Sequence, residues 1–445
     1  MGADKIPRAF SGRRLHTMRA LNADPLSALT AAAQQDGDRV WLEIGPYQVL
    51  LLSGPEDIEE VLVRQNRCFI KGRTLQHARP LLGQGLLTSE GDVWRRHRRL
   101  AQPAFHRDRV HAMGQTILDQ TMRASGRWHD SDVRDMAEEM MRLTFAIATD
   151  TLFGTALDAA AQTVRESLTT AMRHVNGRVK TLLRLPDWVP TPEMRRFQAA
   201  VGELDAVVHH IIRTRQAGGP DHDDVLALLM AASDEEGRGL SEKELRDEVM
   251  TLLIAGHETT ATLLAWTWLL LDRHPAARQR LDQELSEGVP DGPVTVDRLQ
   301  ELPYTGAVIS EALRLYPPAW IINRASIAPF ELASHTLPAG TQVLTSPYVV
   351  HRDPRSFPDP EAFSPERWLQ EGPTTRHPFA YIPFGGGPRL CIGRPMALLE
   401  ARLILAAVGH SWHFSLVPGH PVEPEPLITL RPRHGIRMTV HANPG

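Results

Sequence analysis

Residues 384–393 read Phe384-Gly385-Gly386-Gly387-Pro388-Arg389-Leu390-Cys391-Ile392-Gly393, a glycine-packed loop running straight into an apolar stretch. Cys391 is one of 2 cysteines in 445 residues. A deprotonated sulfur held among converging backbone amides can ligate a metal or attack a substrate. The neighbours bear on that choice: Phe384 supplies an apolar surface, Arg389 a permanent cation, and the glycines let backbone approach a large flat group without a Cβ in the way. The other cysteine, in Arg67-Cys68-Phe69, reads as a small buried hydrophobe.

Composition narrows the setting. Two cysteines in so long a chain argue against a disulfide framework and for a reducing compartment, with the cytoplasm as the expectation. The first residues carry charges and a proline rather than the apolar core of a signal peptide or membrane anchor. A net charge of −4 gives no global attraction to nucleic acid. The basic run Trp94-Arg95-Arg96-His97-Arg98-Arg99 therefore reads locally, as a helix face with several solvated cations. No glycine- or serine-rich linker divides the chain, so residues 1–445 are expected to form one unit.

The pattern is mainly α with small β-sheets. Residues 40–44 and 48–52 are β-rich around Gly45-Pro46 and predict a hairpin; strand signals return at 342–345 and near 427–430. The β-rich parts are thus near 40–52 and 330–440, and apolar residues recur at helical spacing over about 55–320 and 394–410. Ser241 with Glu244 three residues on is a capping box, and Pro275 limits the other end, which predicts a central helix of roughly 30 residues. Its apolar stretch, 251–271, is of membrane-spanning length, but the interior His257 and Glu258 favour a core-crossing helix.

That helix contains Ala255-Gly256-His257-Glu258-Thr259-Thr260. Gly256 is expected to clear space for a ligand. Thr259 can bond back to a carbonyl one turn earlier and open a local groove, where an acid beside a hydroxyl can relay protons to bound dioxygen. A zinc-protease reading of His257-Glu258 fails because Ala261 stands where the second histidine belongs. The glycine loop likewise misses the dinucleotide and phosphate-loop patterns.

The loop at 384–393 resembles the haem-binding loop of the cytochrome P-450 (haem-thiolate monooxygenase) family, in its bacterial soluble type, whose cysteine thiolate is the axial ligand. Ser310-Glu311-Ala312-Leu313-Arg314 is similar to the family's E-x-x-R helix, with Arg367 of Pro365-Glu366-Arg367-Trp368 as partner; Trp368 stands where Phe is commoner, a departure read as minor. Trp94 and Arg98 resemble its W-x-x-x-R pair, and Glu258-Thr259 its acid-alcohol pair.

The resemblance implies the family fold, with haem b between the central helix and the cysteine loop. Cys391 would ligate the iron, and Trp94, Arg98, Arg324, Phe384 and Arg389 would hold the cofactor, its propionates needing charge-assisted donors. Glu258 and Thr259 would be catalytic; Glu311, Arg314 and Arg367 structural; and Ile254, Ala255, Ala319, Trp320, Ile321, Leu427 and Ile428 would line an apolar pocket. The implied activity is monooxygenation of a lipophilic small molecule (terpenoid, fatty acid or polyketide-like) in secondary metabolism, with ferredoxin and ferredoxin reductase in trans and neither nucleic acid nor a membrane anchor. Arg95, Arg96, Arg99 and Arg394 would form a patch for an acidic redox partner. The segment 71–91 and the helices flanking 186–192 would gate access. The rival readings are a peroxide-driven hydroxylase, which needs no acid-alcohol relay, and a haem-based gas sensor.

Overall fold

The Ser241 side chain accepts from the Glu244 N–H and the Glu244 carboxylate from the Ser241 N–H, and the helix this box starts runs 32 residues, Glu242–Arg273, to His274-Pro275. In the computed structural model, which describes residues 6–443 apart from 13, 45–46, 156, 158–159, 181–188, 190, 219–223, 290–291 and 370–375, that helix crosses the main core. The helices that build the site are α1 (Gly91–Ala101), α2 (Met136–Phe153), α3 (Glu242–Arg273), α4 (Pro303–Leu315) and α5 (Arg394–Ser411). α3 is buried almost all round, with Trp266 and Trp268 fully enclosed, which accounts for its unbroken apolar run. No helix among the described residues is long and apolar enough to cross a membrane.

The described strands are short: β1 (Arg39–Ile44), β2 (Tyr47–Leu52), β3 (Phe69–Lys71), β4 (Val133–Asp135), β5 (Ile322–Ser326), β6 (Phe330–Leu332), β7 (His335–Leu337), β8 (Gln342–Thr345), β9 (Trp412–Leu416), β10 (Pro424–Pro426), β11 (Leu430–Pro432) and β12 (Arg437–Ala442). The largest sheet has the order β1-β2-β8-β5-β3. Its β2–β8 pair is parallel, Val49 opposite Gln342, and the rest are antiparallel. Leu50, Leu51 and Leu52 are all buried, as a strand covered on both faces requires. Leu50, Leu52, Phe69 and Val343 share a cluster with Ile382, so this sheet is packed to the segment that leads into the cysteine loop.

The hairpin strands and the strand at 342–345 lie where the pattern puts them; the turn 45–46 is outside the described residues, as are 181–188 and 190 of the expected gate. The run at 427–430 differs. It is the turn between β10 and β11, because the Leu427 N–H bonds locally to the Glu425 and Thr429 carbonyls, and prolines at 424, 426 and 432 cannot donate to a longer ladder. β3 and β4 interrupt the stretch read as helical, each only three residues long and too short to register as a period-2 pattern.

Candidate active site

The cysteine loop is closed on itself. Cys391 N–H donates to Phe384 O at 3.1 Å, Gly385 N–H to Ile382 O at 3.0 Å and Leu390 N–H to Gly387 O at 3.0 Å. Gly385 and Gly387 take φ of +75° and +66°, a region that side chains rarely adopt. Two glycines have a different purpose from the one expected: a Cβ on Gly387 would lie 2.0 Å from Leu62 O, and one on Gly386 2.5 Å from the Phe379 ring. They seat the loop on the protein rather than clear space for a ligand. Burial pushes the Cys391 thiol up, while the Gly393 and Arg394 N–H groups and the Arg98 charge pull it back towards thiolate. Cys391 is nevertheless exposed, three residues before the start of α5.

Around this sulfur the cations outnumber the anions. Arg98, on α1, donates to Leu390 O at 3.0 Å and so clasps the residue before the cysteine. Arg389 lies over the Trp94 ring at 3.9 Å, donates to Ser89 O at 3.0 Å and pairs with Glu90. Arg324, buried on β5, donates to Asn323 O at 3.0 Å; burial, with the Arg389 charge adding to it, lowers it to about 10. The half-buried Lys71 faces it across the β3–β5 register; burial, then Arg324 and Arg389, hold its ammonium well below the ordinary value. Glu90 is the carboxylate within this group, and it also accepts from Lys71 N–H at 2.6 Å. Four cations against one carboxylate, next to a thiol, form a donor set suited to an iron porphyrin with two propionates. Arg389 already pairs with a carboxylate, whereas Arg98 and Arg324 meet only backbone carbonyls, so Arg98, Arg324 and Lys71 are the better placed for them. Lys71 was not anticipated; nothing in Phe69-Ile70-Lys71 marks it before the strand pairing is known.

On α3 the buried face is interrupted at Ala255, which is exposed, and at the half-buried Thr259, one turn on. Thr259 Oγ1 donates to Ala255 O at 2.9 Å, the back-bond that its position predicts. Gly256 does not face this opening: a Cβ there would meet Leu152 and Ala148 of α2, so it is a close helix–helix contact. His257 is buried against Phe145, and its carbonyl accepts from Thr144 Oγ1 at 3.0 Å. Glu258 is buried and accepts from Thr429 Oγ1 at 2.6 Å, from the β10–β11 turn. The Thr260 hydroxyl supports Glu400 of α5, a fully buried carboxyl that burial pushes well above the usual range.

Of the expected pocket residues, Ala255, Ala319 and Ile428 are exposed, and Ile321 and Leu427 half-buried. Ile254 and Trp320 are buried. Ile254 packs in the main cluster, and Trp320 lies among Leu430 and Val349 with its indole donating to Leu427 O at 2.8 Å. A tryptophan beside prolines looks like a wall of a cavity; its N–H needs a partner once buried, and the turn supplies it.

Behind the loop, Arg314 meets Glu311 through Nε at 2.9 Å and Nη2 at 2.8 Å, and its remaining donors reach the carbonyls of His351, Pro360 and Ala362. Arg367 Nε donates to Glu311 at 3.0 Å, Ser364 N–H at 2.9 Å and Trp368 Nε1 at 2.8 Å. Trp368 is therefore a member of this network rather than a minor departure.

The basic run is largely neutralised. Arg96 bonds to Asp234 and Glu244, Arg99 pairs with Glu235, and Arg95 with Asp92. Arg96 thus fastens α1 to the α3 side and is unavailable to a partner. His97, missed in the sequence, is fully buried between Glu248 Oε1 at 2.7 Å and Glu244 Oε1 at 3.1 Å. The available signal was Glu244 and Glu248 themselves, two carboxylates on one face of an apolar helix that call for a cation.

The Cytochrome P450 family profile matches residues 10–439. The chain is 39% identical over 406 residues to a cyclooctat-9-en-7-ol 5-monooxygenase of Streptomyces melanosporofaciens, covering 91% of this chain and 88% of that one. It is 33% identical over 435 residues to a pentalenene oxygenase of Streptomyces avermitilis, covering 97% and 93%. The crystal structure of the cytochrome P450DA haem domain superposes with a TM-score of 0.88 at 27% identity over 99% of this chain and 98% of that one. With the exposed Cys391, its cationic surround and the exposed Ala255 beside Thr259 on α3 in the same fold, the chain belongs to the cytochrome P450 family and is a haem b-dependent, thiolate-ligated monooxygenase of lipophilic small molecules that draws its electrons from redox partners.

Proposed function

We propose that this monooxygenase hydroxylates a terpenoid in secondary metabolism, as a single haem domain spanning residues 1–445, in the cytoplasm, with ferredoxin and ferredoxin reductase as its electron donors. The terpenoid follows from the cyclooctat-9-en-7-ol 5-monooxygenase and the pentalenene oxygenase, together with a pocket reading that offers only apolar residues: Ala255, Ala319, Ile321, Leu427 and Ile428. Cys391 is the proposed iron ligand. Bound haem supplies the activation of dioxygen and the insertion of one oxygen atom into a C–H bond, the other atom leaving as water.

The chain's own contributions are positional and protonic. Arg98 fixes the carbonyl of Leu390 and thereby the loop. Arg98, Arg324 and Lys71 neutralise the propionates, with Trp94, Arg389 and Phe384 packing beside them. Glu258 is the acid proposed to relay a proton towards Thr259 Oγ1, whose back-bond to Ala255 O holds the hydroxyl beside the exposed Ala255.

The observation that carries this reading is the conjunction of an exposed cysteine with a cluster of basic side chains, Arg324 buried and Lys71, Arg98 and Arg389 half-buried, that a single carboxylate does not balance. Reduction of the holoenzyme under carbon monoxide is expected to give a strongly red-shifted Soret band that Cys391→His abolishes, and cyclic terpenes are expected to shift the ferric spin state. An unchanged band in Cys391→His would remove the ligand assignment. Spin shifts with fatty acids and none with terpenes would remove the substrate class.

A further inference from the structure

The Leu427-Ile428-Thr429 turn is anchored to the core at several points that do not involve Thr429. Trp320 Nε1 donates to Leu427 O at 2.8 Å, Trp266 Nε1 to Leu430 O at 2.8 Å, and Leu430 N–H to Pro318 O at 3.0 Å. The turn therefore does not need the Thr429 hydroxyl to stay in place. Glu258 depends on it more: its carboxylate is buried, and the donor it is given lies 171 residues away, at 2.6 Å. A buried carboxylate orients to its donors, since an unmet acceptor is costly.

We infer that Thr429 is a positioning residue that fixes the Glu258 carboxylate beside the α3 groove. The inference rests on the proposed relay role of Glu258. Because Trp266 is eight residues, about two turns, beyond Glu258 on α3, the turn is tied to the same helix at two levels. Thr429 is a rigid bracket between the acid and the hairpin tip that carries the exposed Ile428.

The test uses carbon monoxide as the probe, on dithionite-reduced holoenzyme, with no substrate or redox partner. The CO stretching band reports the electric field on the oxygen side of the haem. Thr429→Val keeps the shape and removes the hydroxyl; it is expected to shift and broaden the band as the carboxylate takes up other orientations, and Thr429→Ser is expected to restore one narrow band at the parent's position. Glu258→Gln is the control and is expected to move the band by itself. If Glu258→Gln moves it and Thr429→Val leaves it unchanged, the bracket is overturned and the relay reading stands. If Glu258→Gln is silent, the relay position of Glu258 falls and the bracket with it. Should Thr429→Val lose haem, the comparison of Thr429→Ala with Thr429→Ser decides on the same band.

Discussion

The indole N–H of Trp368 donates to Glu311 Oε2 at 2.8 Å, on the same oxygen that receives Arg314 Nε at 2.9 Å. A phenylalanine there would fill the space and leave that oxygen one donor short. Trp368→Phe is therefore expected to lower unfolding stability by about 1.5–3 kcal/mol, the worth of one hydrogen bond to a charged group. Thermal unfolding of the haem-loaded protein would measure it; an unchanged midpoint would mean that the two arginines and Ser364 N–H already satisfy the carboxylate.

Two buried histidines are expected to bend the stability curve in opposite directions. Burial opposes the charge of His97, but the Glu248 and Glu244 carboxylates outweigh it and raise its pKa above 6.5. A raised value gives stability that is complete below 6.5 and lost as pH rises through the folded value. Burial likewise opposes the charge of Glu244, but Ser241, His97 and Arg96 draw it down to about 2, so its contribution is lost only as pH falls from 4.5 towards 2. His97→Leu should consequently cost most between pH 4.5 and 6.5, on the order of 3 kcal/mol for a broken buried pair.

His351 has the other sign. Burial, reinforced by the Arg314 and Arg352 charges, holds it at about 3, its ring bonding to Arg314 O at 3.2 Å and accepting from Ile382 N–H at 2.8 Å. Stability from a depressed histidine is present above 6.5 and lost as pH falls towards 3. Protonation would also set two N–H groups against each other two residues before Phe384. Acidification below 6.5 should release haem from the parent, and His351→Asn should flatten that slope; a parent curve without it would place the acid lability elsewhere.

The parts of this site legible in the sequence are those whose meaning is local. The capping box at Ser241, the Thr259 back-bond and the Glu311–Arg314 spacing each involve residues within one helical turn, and each is found where the sequence puts it. Contacts that depend on tertiary pairing were illegible. Lys71 joins the cation cluster only because β3 pairs with β5, Thr429 reaches Glu258 across 171 residues, and Gly256 and Gly386 look like ligand clearances until a helix and a ring are seen against them. The partner of Trp320 was illegible for the same reason, since the carbonyl its indole meets, Leu427 O, lies 107 residues away.

Arg98 combines a bond to the cysteine loop with a free share of positive charge, so its removal should weaken cofactor retention. Arg98→Ala is expected to speed transfer of haem from the holoenzyme to excess apomyoglobin by roughly tenfold, the equivalent of one charge-assisted bond of about 1.5 kcal/mol. Arg96→Ala, which breaks ion pairs to Asp234 and Glu244 but no bond to the loop, should unfold more easily without the same rise in transfer rate. Equal rates for the two variants would show that α1 acts only as a scaffold.

Glu400 is the buried carboxyl of α5. It is fully buried, its Oε1 has no hydrogen-bond partner, and the Thr260 hydroxyl offsets only part of the burial that pushes it well above 4.5. A raised carboxyl binds its proton more tightly folded than unfolded, so the stability it contributes is present in acid and is lost as pH rises from 4.5 through the folded value. Over that interval each pH unit costs the parent about 1.4 kcal/mol, and Gln, which does not titrate, avoids the loss. Glu400→Gln should therefore match the parent near pH 4 and become progressively more stable than it towards neutrality, as read by urea unfolding at several pH values. A difference that stays flat with pH would show that Glu400 is ionised in the folded protein and that a partner for its charge exists beside Thr260.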